Sequence, residues 1–508
     1  MVKIRTALTA AVAGTIMLTG CGVNASSFGA QRLGGEASAL KRGGFTPKWV
    51  KDAVFYQIFP ERFMNGDKRN DPKDVKPWGT KPELYNYMGG DLAGVRKQIP
   101  YMKNLGVNAI YFNPVFHGDS NHKYNTIDYM TIDPAFGTNA EFKSMISELR
   151  RNGIKVILDG VFNHTGDKHI FFQDAVKNGP KSKYWNFYTF WGFPVVNDPK
   201  PNYNAWWDFG TLPQLRAADN PEVQEYLYEV TEYWTKQGID GWRLDVPNEI
   251  ANDDFWRTWR KKVRAVNPNA YIVGEIWTDG KHWLQGDMFD SVMNYLFLET
   301  MLDFFAHQKI SVDEMDRRLS GLRAHYGQEV SEAMFNILGS HDVPRLMTEA
   351  GGNASRAKEA IFFQMVYPGT PVIYYGDELG MEGAKDPDNR RTMEWHKVPG
   401  NDMLAFYKKL IAVRKAHPAL RGGDMRTLMR HNHHRLFAFV REDQGEKMIV
   451  ALNSGAEARD VAFSVNGEFK DGTTLVDALS GKAFKVEGGQ VVVKGLPSAT
   501  GVILGLKR

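Results

Sequence analysis

Four short segments place acids and bases at the ends of apolar runs: Asp159-Gly-Val-Phe-Asn163-His164, Gly241-Trp-Arg243-Leu-Asp245, Val273-Gly-Glu275-Ile-Trp277 and Gly339-Ser-His341-Asp342. A carboxylate at the end of a strand is poorly placed for packing. A single one often does no more than cap the following helix. Four such ends, with Arg243, His164 and His341 interleaved, exceed what caps require. Paired carboxylates without a Ser-His or Cys signature point to glycoside cleavage, one acting as nucleophile and the other as acid/base.

These groups can act together only if the runs that carry them converge. Apolar runs at Ala53–Phe59, Val107–Phe112, Lys155–Val161, Gly241–Val246, Tyr271–Ile276, Ser291–Tyr295, Met334–Leu338 and Pro371–Tyr375 read as strands. Most are continuous, as expected of parallel strands covered on both faces. Helical periodicity lies between them, at Glu141–Arg151, Pro221–Gln237 and Met403–Ala416. The pattern predicts an α/β fold, a (β/α)8 TIM barrel over residues 49–164 and 221–423, in preference to an open doubly wound sheet. The acids would then line the C-terminal mouth, where barrel enzymes hold catalytic groups. Residues 165–220 are loop-like and rich in aromatics, including Trp185, Tyr188, Trp191, Trp206 and Trp207. They read as an insertion domain after strand 3, whose rings form either a small core or stacking platforms. From 424 to 508 the texture changes to short alternating runs: Leu436–Val440, Met448–Asn453, Val461–Val465, Thr474–Val476 and Val491–Val493. Gly and Asn/Asp/Ser clusters split them, which predicts a C-terminal antiparallel β-sandwich.

Composition closes other routes. With 508 residues, 43% hydrophobic and 12% aromatic, the chain is not disordered. Its 63 Lys+Arg against 59 Asp+Glu leave +4, which implies no nucleic-acid partner. There is one cysteine, so neither a disulfide framework nor a thiolate metal site is available. That cysteine, Cys21, follows Leu18-Thr19-Gly20, an apolar stretch from Ala7 to Leu18, and the basic Lys3 and Arg5. The stretch is too short to span a bilayer of roughly 30 Å. The arrangement resembles a bacterial lipoprotein signal; an ordinary secretory signal is the alternative. The resemblance implies loss of residues 1–20 and lipid attachment at Cys21. Two or three acyl chains there would hold the protein far better than one. Residues 21–48, rich in Gly, Ser and Ala, read as a flexible tether to a membrane surface. The expected location is the extracellular face of the bacterial cell membrane, lipid-anchored.

The four strand-end segments, in their order and spacing, resemble the signature regions of the α-amylase family of glycoside hydrolases (family 13). Residues 128–137 (DYMTIDPAFG) and 370–380 (TPVIYYGDELG) match as well. The resemblance runs from about residue 50 to the C-terminus and implies a retaining double displacement on an α-glucan. By motif position it assigns Asp245 as nucleophile, Glu275 as general acid/base and Asp342 as transition-state stabiliser. Those roles ask Glu275 to carry a proton near neutral pH, which neighbouring carboxylates would favour. Arg243 shares a strand side with Asp245 and should keep it ionised. The resemblance also assigns His164 and His341 to hydrogen bonds with the sugar at the point of cleavage. It makes His122 and Tyr124 the hydrogen-bonding and stacking pair of that subsite. Asp386 and Arg390 are assigned to the next sugar on the non-reducing side.

Val246-Pro247-Asn248-Glu249 and Glu275-Ile-Trp277 resemble the neopullulanase/cyclomaltodextrinase-like branch. Pro247 stands where that branch usually has Ala, and Leu212-Pro-Gln-Leu-Arg216 where it has Met-Pro-Lys-Leu-Asn. Both lie toward the acceptor side and leave the balance of α-1,4 and α-1,6 cleavage open. The branch usually carries an N-terminal β-domain, whereas here the barrel follows the tether. The expectation is a monomer with a more open cleft, suited to longer glucans. Asn65-Gly-Asp67-Lys-Arg-Asn70-Asp71 with Gly89-Gly-Asp91 gathers hard oxygens that suit Ca²⁺ and resembles a calcium site of the branch. An exposed Asx/Gly turn is the plainer reading. A second calcium site of typical α-amylases needs a His where Glu249 stands, so Asn163 is not taken as a ligand. The leading expectation is hydrolysis of internal α-1,4 bonds of starch-like glucans, with pullulan and cyclodextrins as further candidates. A transglucosylase and a non-catalytic glucan-binding lipoprotein are the rivals; the second would be expected to lack one of the three acids.

Overall fold

The computed structural model describes residues 44–507; the leader, Cys21 and the tether as far as residue 43 lie outside the described residues. Residues 44–48, read from sequence as tether, are docked instead. The Thr46 N–H donates to Glu329 Oε1 at 2.9 Å, and the Phe45 carbonyl accepts from Arg260 and Arg264. Phe45 also packs against the main core, which is the apolar gain that holds the segment down.

The central sheet has eight strands: β1 (Phe55–Ile58), β2 (Ala109–Phe112), β3 (Lys155–Gly160), β4 (Gly241–Leu244), β5 (Tyr271–Gly274), β6 (Ser291–Val292), β7 (Phe335–Ile337) and β8 (Thr370–Tyr374). Every pairing is parallel, in the order β6-β5-β4-β3-β2-β1-β8-β7. A parallel bridge from Met293 to Phe335 joins β6 to β7 and closes the ring. This is the (β/α)8 barrel with a C-terminal β-domain that the apolar runs predict. Most strands are shorter than those runs, because the run continues into buried loops at the mouth. The run at Ser291–Tyr295 stops early because the Asn294 side chain caps a helix beginning at Tyr295.

Alternation along each strand decides what faces inward. Phe55, Tyr111, Ile157, Val273, Phe335 and Val372 fill the barrel, while Tyr56, Ile58, Ile110, Phe112 and Leu158 pack against the helices outside. Two residues further along, the same inward direction brings Gln57, Asp159 and Glu275 to the mouth. The helices start where their sequences say. Thr138 and Glu141 form a reciprocal capping box for Asn139–Arg151. Asn220 caps Pro221–Lys236, whose first residue is the proline.

A hairpin, Phe116–Gly118 with Thr126–Ile132, follows β2 and carries residues 119–125 at its turn. The insertion contains one α-helix, Ile170–Asn178, short 3-10 turns, and a ribbon held by isolated bridges: Tyr188 to Leu215, Phe190 to Tyr203, Ala205 to Pro213 and His164 to Gln214. Its aromatics split between the two sequence readings. Phe172, Phe187 and Tyr188 are buried in a core, whereas Trp191 and Trp207 are exposed.

The C-terminal domain comprises β9 (Asp424–His431), β10 (Leu436–Asp443), β11 (Glu446–Asn453), β12 (Arg459–Ser464), β13 (Thr474–Asp477), β14 (Ala483–Lys485), β15 (Gln490–Leu496) and β16 (Thr500–Leu506). Six form an antiparallel sheet in the order β9-β10-β11-β16-β13-β14, and β12 pairs with β15. A separate apolar core, including Val440, Ile449, Val461, Phe463, Val491 and Leu504, lies between the two sheets. Among the described residues no helix is long and apolar enough to cross a membrane.

Candidate active site

Arg243 is the centre of the mouth. Its buried guanidinium donates from Nη1 to Asp159 Oδ1 at 2.7 Å and to Asp245 Oδ1 at 2.9 Å, and Nη2 lies 2.9 Å from Glu275 Oε1. Asp159 Oδ2 accepts from the Tyr111 hydroxyl at 2.6 Å and the Tyr124 hydroxyl at 2.8 Å. Glu275 Oε2 accepts from the Val246 N–H at 3.0 Å. Val246 has φ 34° and ψ 51°. A β-branched residue seldom enters that left-handed region, at a cost of about 1–3 kcal/mol. The turn it makes, directly after Asp245, aims its N–H at Glu275.

Asp342 follows β7. Its Oδ2 lies 3.0 Å from His341 Nε2, and its Oδ1 lies 3.5 Å from Arg390 Nη2. Arg390 also donates from Nε to the His341 carbonyl at 3.0 Å and pairs with Asp386 at 3.1 Å. His341 Nδ1 faces the Gln57 side-chain nitrogen at 2.9 Å, and that amide can only donate. The imidazole proton therefore sits on Nε2, toward the Tyr124 hydroxyl at 2.6 Å and Asp342. The His341 and Tyr124 rings are stacked within 4° of parallel. His122 Nδ1 accepts from the Tyr124 N–H at 3.1 Å, which leaves its proton on Nε2. His164 donates from Nε2 to the Tyr124 carbonyl at 3.2 Å. All ten candidate catalytic and sugar-binding residues thus meet in one mouth, linked through Tyr124 and Arg243.

The electrostatics depart from the sequence reading at one point. Burial, and then the Glu275 carboxylate, push Asp245 well above the usual carboxylate range, with Arg243 pulling the other way. Arg243 does not serve Asp245 alone, because Asp159 and Glu275 share it. Burial also raises Asp159 against the pull of Arg243. Burial and Glu275 carry Asp342 to about 7, despite Arg390 and Arg243. Five acids, Asp159, Asp245, Glu275, Asp342 and Asp386, stand around two guanidiniums, and burial raises Asp159, Asp245, Asp342 and Asp386 despite them. The histidines stay neutral. Burial and then Arg390 lower His341 well below its ordinary value and His122 to about 3, and burial takes His164 to about 4.

Several site residues were not singled out as such from sequence. Asp159 stands at a strand end to which the motifs assign no role. Tyr111 and Gln57 are polar groups inside apolar runs, and Asn113 directly follows one. The only available signal was Gln57, an amide within Phe55-Tyr-Gln-Ile58. Trp206 stacks on His164 and on Trp207, which is 65% exposed, so a line of rings leads out of the mouth. Trp277, 44% exposed, lies flat on Tyr295 at 3.9 Å on the other side of Glu275 in sequence.

The six candidate calcium residues gather beyond β1. Asn65 Oδ1 and Asn70 Oδ1 are buried with no donor. The Asn65 amide donates to Asp71 Oδ1 at 2.6 Å, and a Cβ on Gly89 would come within 2.4 Å of both atoms. Asp91 is occupied by the N–H groups of Gly66, Asp67 and Gly94, and Asp67 turns outward to Arg69. Among the described residues no three His, Cys, Asp or Glu side chains form a metal-binding group. The orphaned amide oxygens, the Asp71 carboxylate and the Gly89 backbone nevertheless fit a hard cation, which takes oxygen ligands from amides and backbone.

Comparison with known proteins agrees with this geometry. The family described as alpha amylase, catalytic domain, matches residues 57–400, and the maltogenic amylase C-terminal domain matches 425–498. A cyclomaltodextrinase of Thermoanaerobacter pseudethanolicus is 48% identical over 430 residues, 84% of this chain and 74% of that one. Neopullulanase 2 of Thermoactinomyces vulgaris is 44% identical over 450 residues, 88% of this chain and 76% of its own. The ligand-free cyclic alpha-maltosyl-(1→6)-maltose hydrolase of Arthrobacter globiformis superposes with a TM-score of 0.83 at 36% identity, covering 91% of this chain and 99% of that one.

Proposed function

The chain belongs to the α-amylase family of glycoside hydrolases, and on that premise we propose that it is a retaining, endo-acting hydrolase of α-1,4-glucosidic bonds in starch and maltooligosaccharides. The observation that carries this reading is Arg243, which holds Asp245 and Glu275 on neighbouring nitrogens of one guanidinium. Two acids gathered on one guanidinium supply the pair of carboxyl groups that glycoside cleavage needs.

In the proposed reaction Glu275 gives its proton to the glycosidic oxygen as the bond to C1 breaks. An Asp245 oxygen bonds to C1 and forms a glycosyl ester. Glu275, now a carboxylate, takes a proton from water as that water attacks C1 and releases Asp245. Asp342, with His341 fixed by Gln57 and Tyr124, would hold the sugar hydroxyls and the charge that develops on the ring. The His164–Trp206–Trp207 line offers flat apolar faces to the departing side of the chain.

The cyclomaltodextrinase and neopullulanase relatives add cyclodextrins and pullulan to the proposed substrates. Products from starch, pullulan and β-cyclodextrin test the reading: maltooligosaccharides from starch, with ring opening of the cyclodextrin, are expected. Inactivity on all three would refute it. Dominance of transfer products at high maltooligosaccharide concentration would make the chain a transglucosylase. We propose further that Asn65, Asn70, Asp71 and Gly89, flanked by Asp67 and Asp91, hold a structural Ca²⁺. A lipid on Cys21, tested by loss of fatty-acid labelling in Cys21→Ser, and a monomeric chain complete the proposal.

A further inference from the structure

We infer that the loop 191–202 of the insertion is a second α-glucan-binding platform, outside the catalytic mouth and built on Trp191 and Phe193. The inference rests on the reading of the chain as an α-glucan hydrolase.

The insertion already has an aromatic core. Phe172, Phe190 and Trp185 stack in series, with centroids 5.8 and 4.1 Å apart. The next rings in sequence stay outside it: Trp191 is 64% exposed and Phe193 54%. Burying them would be favourable if the loop could fold back. It is pinned instead. Asn202 Oδ1 accepts from the Val196 N–H at 2.8 Å, and Nδ2 donates to the Pro194 carbonyl at 2.9 Å. The Asn202 backbone adds bonds to Trp191 and Val196 at 2.8 and 3.0 Å. Lys200 pairs with Asp208 at 3.0 Å and ties the loop to the neighbouring turn. Phe193 sits over Gly179, where a Cβ would come within 2.7 Å of its ring, and stands edge-on to Trp185. One ring is thus seated on the core, and the other stands free on a fixed backbone. A group held in place before binding loses little freedom on binding.

The occupant follows from the chemistry. Ring faces offer a flat apolar surface to the C–H faces of a sugar, and the exposed Asn197 offers an amide to its hydroxyls. Lys200 and Asp208 neutralise each other, as suits an uncharged polymer. A second copy of the chain is the weaker fit, because the two rings expose roughly 250 Å² and a stable interface needs about 800 Å² per partner. The bridges from Phe190 to Tyr203, Ala205 to Pro213 and His164 to Gln214 place the loop and the mouth on one ribbon. A long glucan held at the loop would raise its own local concentration at the mouth, whereas a trisaccharide would gain nothing.

The test uses the full chain with Trp191→Ala/Phe193→Ala, native electrophoresis through soluble starch, and hydrolysis of maltotriose. The dissociation constant for starch should rise about tenfold or more, with kcat/KM on maltotriose within about twofold of wild type. Trp191→Tyr, which keeps a ring and leaves Phe193 in place, should retain starch binding, and the retained maltotriose turnover of the double variant excludes misfolding as the cause. Unchanged starch retention in the double variant overturns the proposal. So does a parallel loss on maltotriose, which would assign the rings to the mouth, or a change in sedimenting mass, which would assign them to an interface between copies. Loss of retention in a chain whose wild type cleaves no α-glucan would support the platform and refute the catalytic reading alone.

Discussion

Arg243 shares one buried positive charge among Asp159, Asp245 and Glu275, so its pull does not offset the burial that raises Asp159 and Asp245. A dedicated partner would have drawn one carboxylate down and left the others unsupported. The same argument says what Glu275→Gln should do. The amide keeps the volume but has no proton to give, so turnover of maltotriose should fall by about 10³ or more. Calorimetric binding of maltotriose should persist, and near-normal turnover would remove Glu275 from the role. The charged residues were readable from sequence because a carboxylate at a strand end has no packing reason to be there. Gln57 and Tyr111 were not, because a polar group inside an apolar run looks the same whether it braces a catalytic histidine or is merely a satisfied core residue.

At the scale of elements, the strands do the positioning and their loops carry the strain. Asp245 and Glu275 lie directly after β4 and β5, and the left-handed Val246 binds one to the other. The proposed calcium would clamp the segment after β1 by satisfying Asn65 Oδ1 and Asn70 Oδ1. Removing it with a chelator should lower the thermal midpoint, by about 2 °C or less per kcal/mol lost in a domain larger than those of 150–250 residues, and added Ca²⁺ should restore it. An unchanged midpoint would leave these residues as a plain turn. The contact between barrel and C-terminal domain gives a second prediction. Glu359, on the helix Ala354–Val366, hydrogen-bonds Ser454, and burial pushes it up to about 8 against the pull of Ser454, Arg435 and Arg356. Its favourable contribution is complete below the ordinary carboxyl range and is lost as pH rises toward 8. Glu359→Gln should therefore lose less thermal stability than wild type between pH 5 and about 9; equal losses would contradict the linkage. Strand positions were legible wherever apolar runs were continuous. β9, β14 and β16 were not assigned from sequence. In β16 the glycines read as breaks, but they serve close approach: a Cβ on Gly501 would come within 2.8 Å of the Phe362 ring.

For the whole molecule, the order of barrel and β-domain was readable because each has its own periodicity, and the insertion because it interrupts that of the barrel with a loop-like, aromatic-rich stretch. Which aromatics of the insertion pack and which stand in solvent was not, since that depends on backbone bonds such as those of Asn202. The near-neutral charge of +4 over 508 residues fits an uncharged polymer, with the chemistry confined to a few acids at one mouth. Double displacement through Asp245 is the chemistry we propose for those acids. Reaction of Glu275→Gln with a 5-fluoro-α-glucosyl fluoride, followed by peptide mass spectrometry, tests it directly, because the good leaving group needs no acid and the return step is slowed. One hexosyl ester, carried by Asp245, is expected. An ester on another residue, or no adduct together with a β-configured product from the wild type, would contradict it.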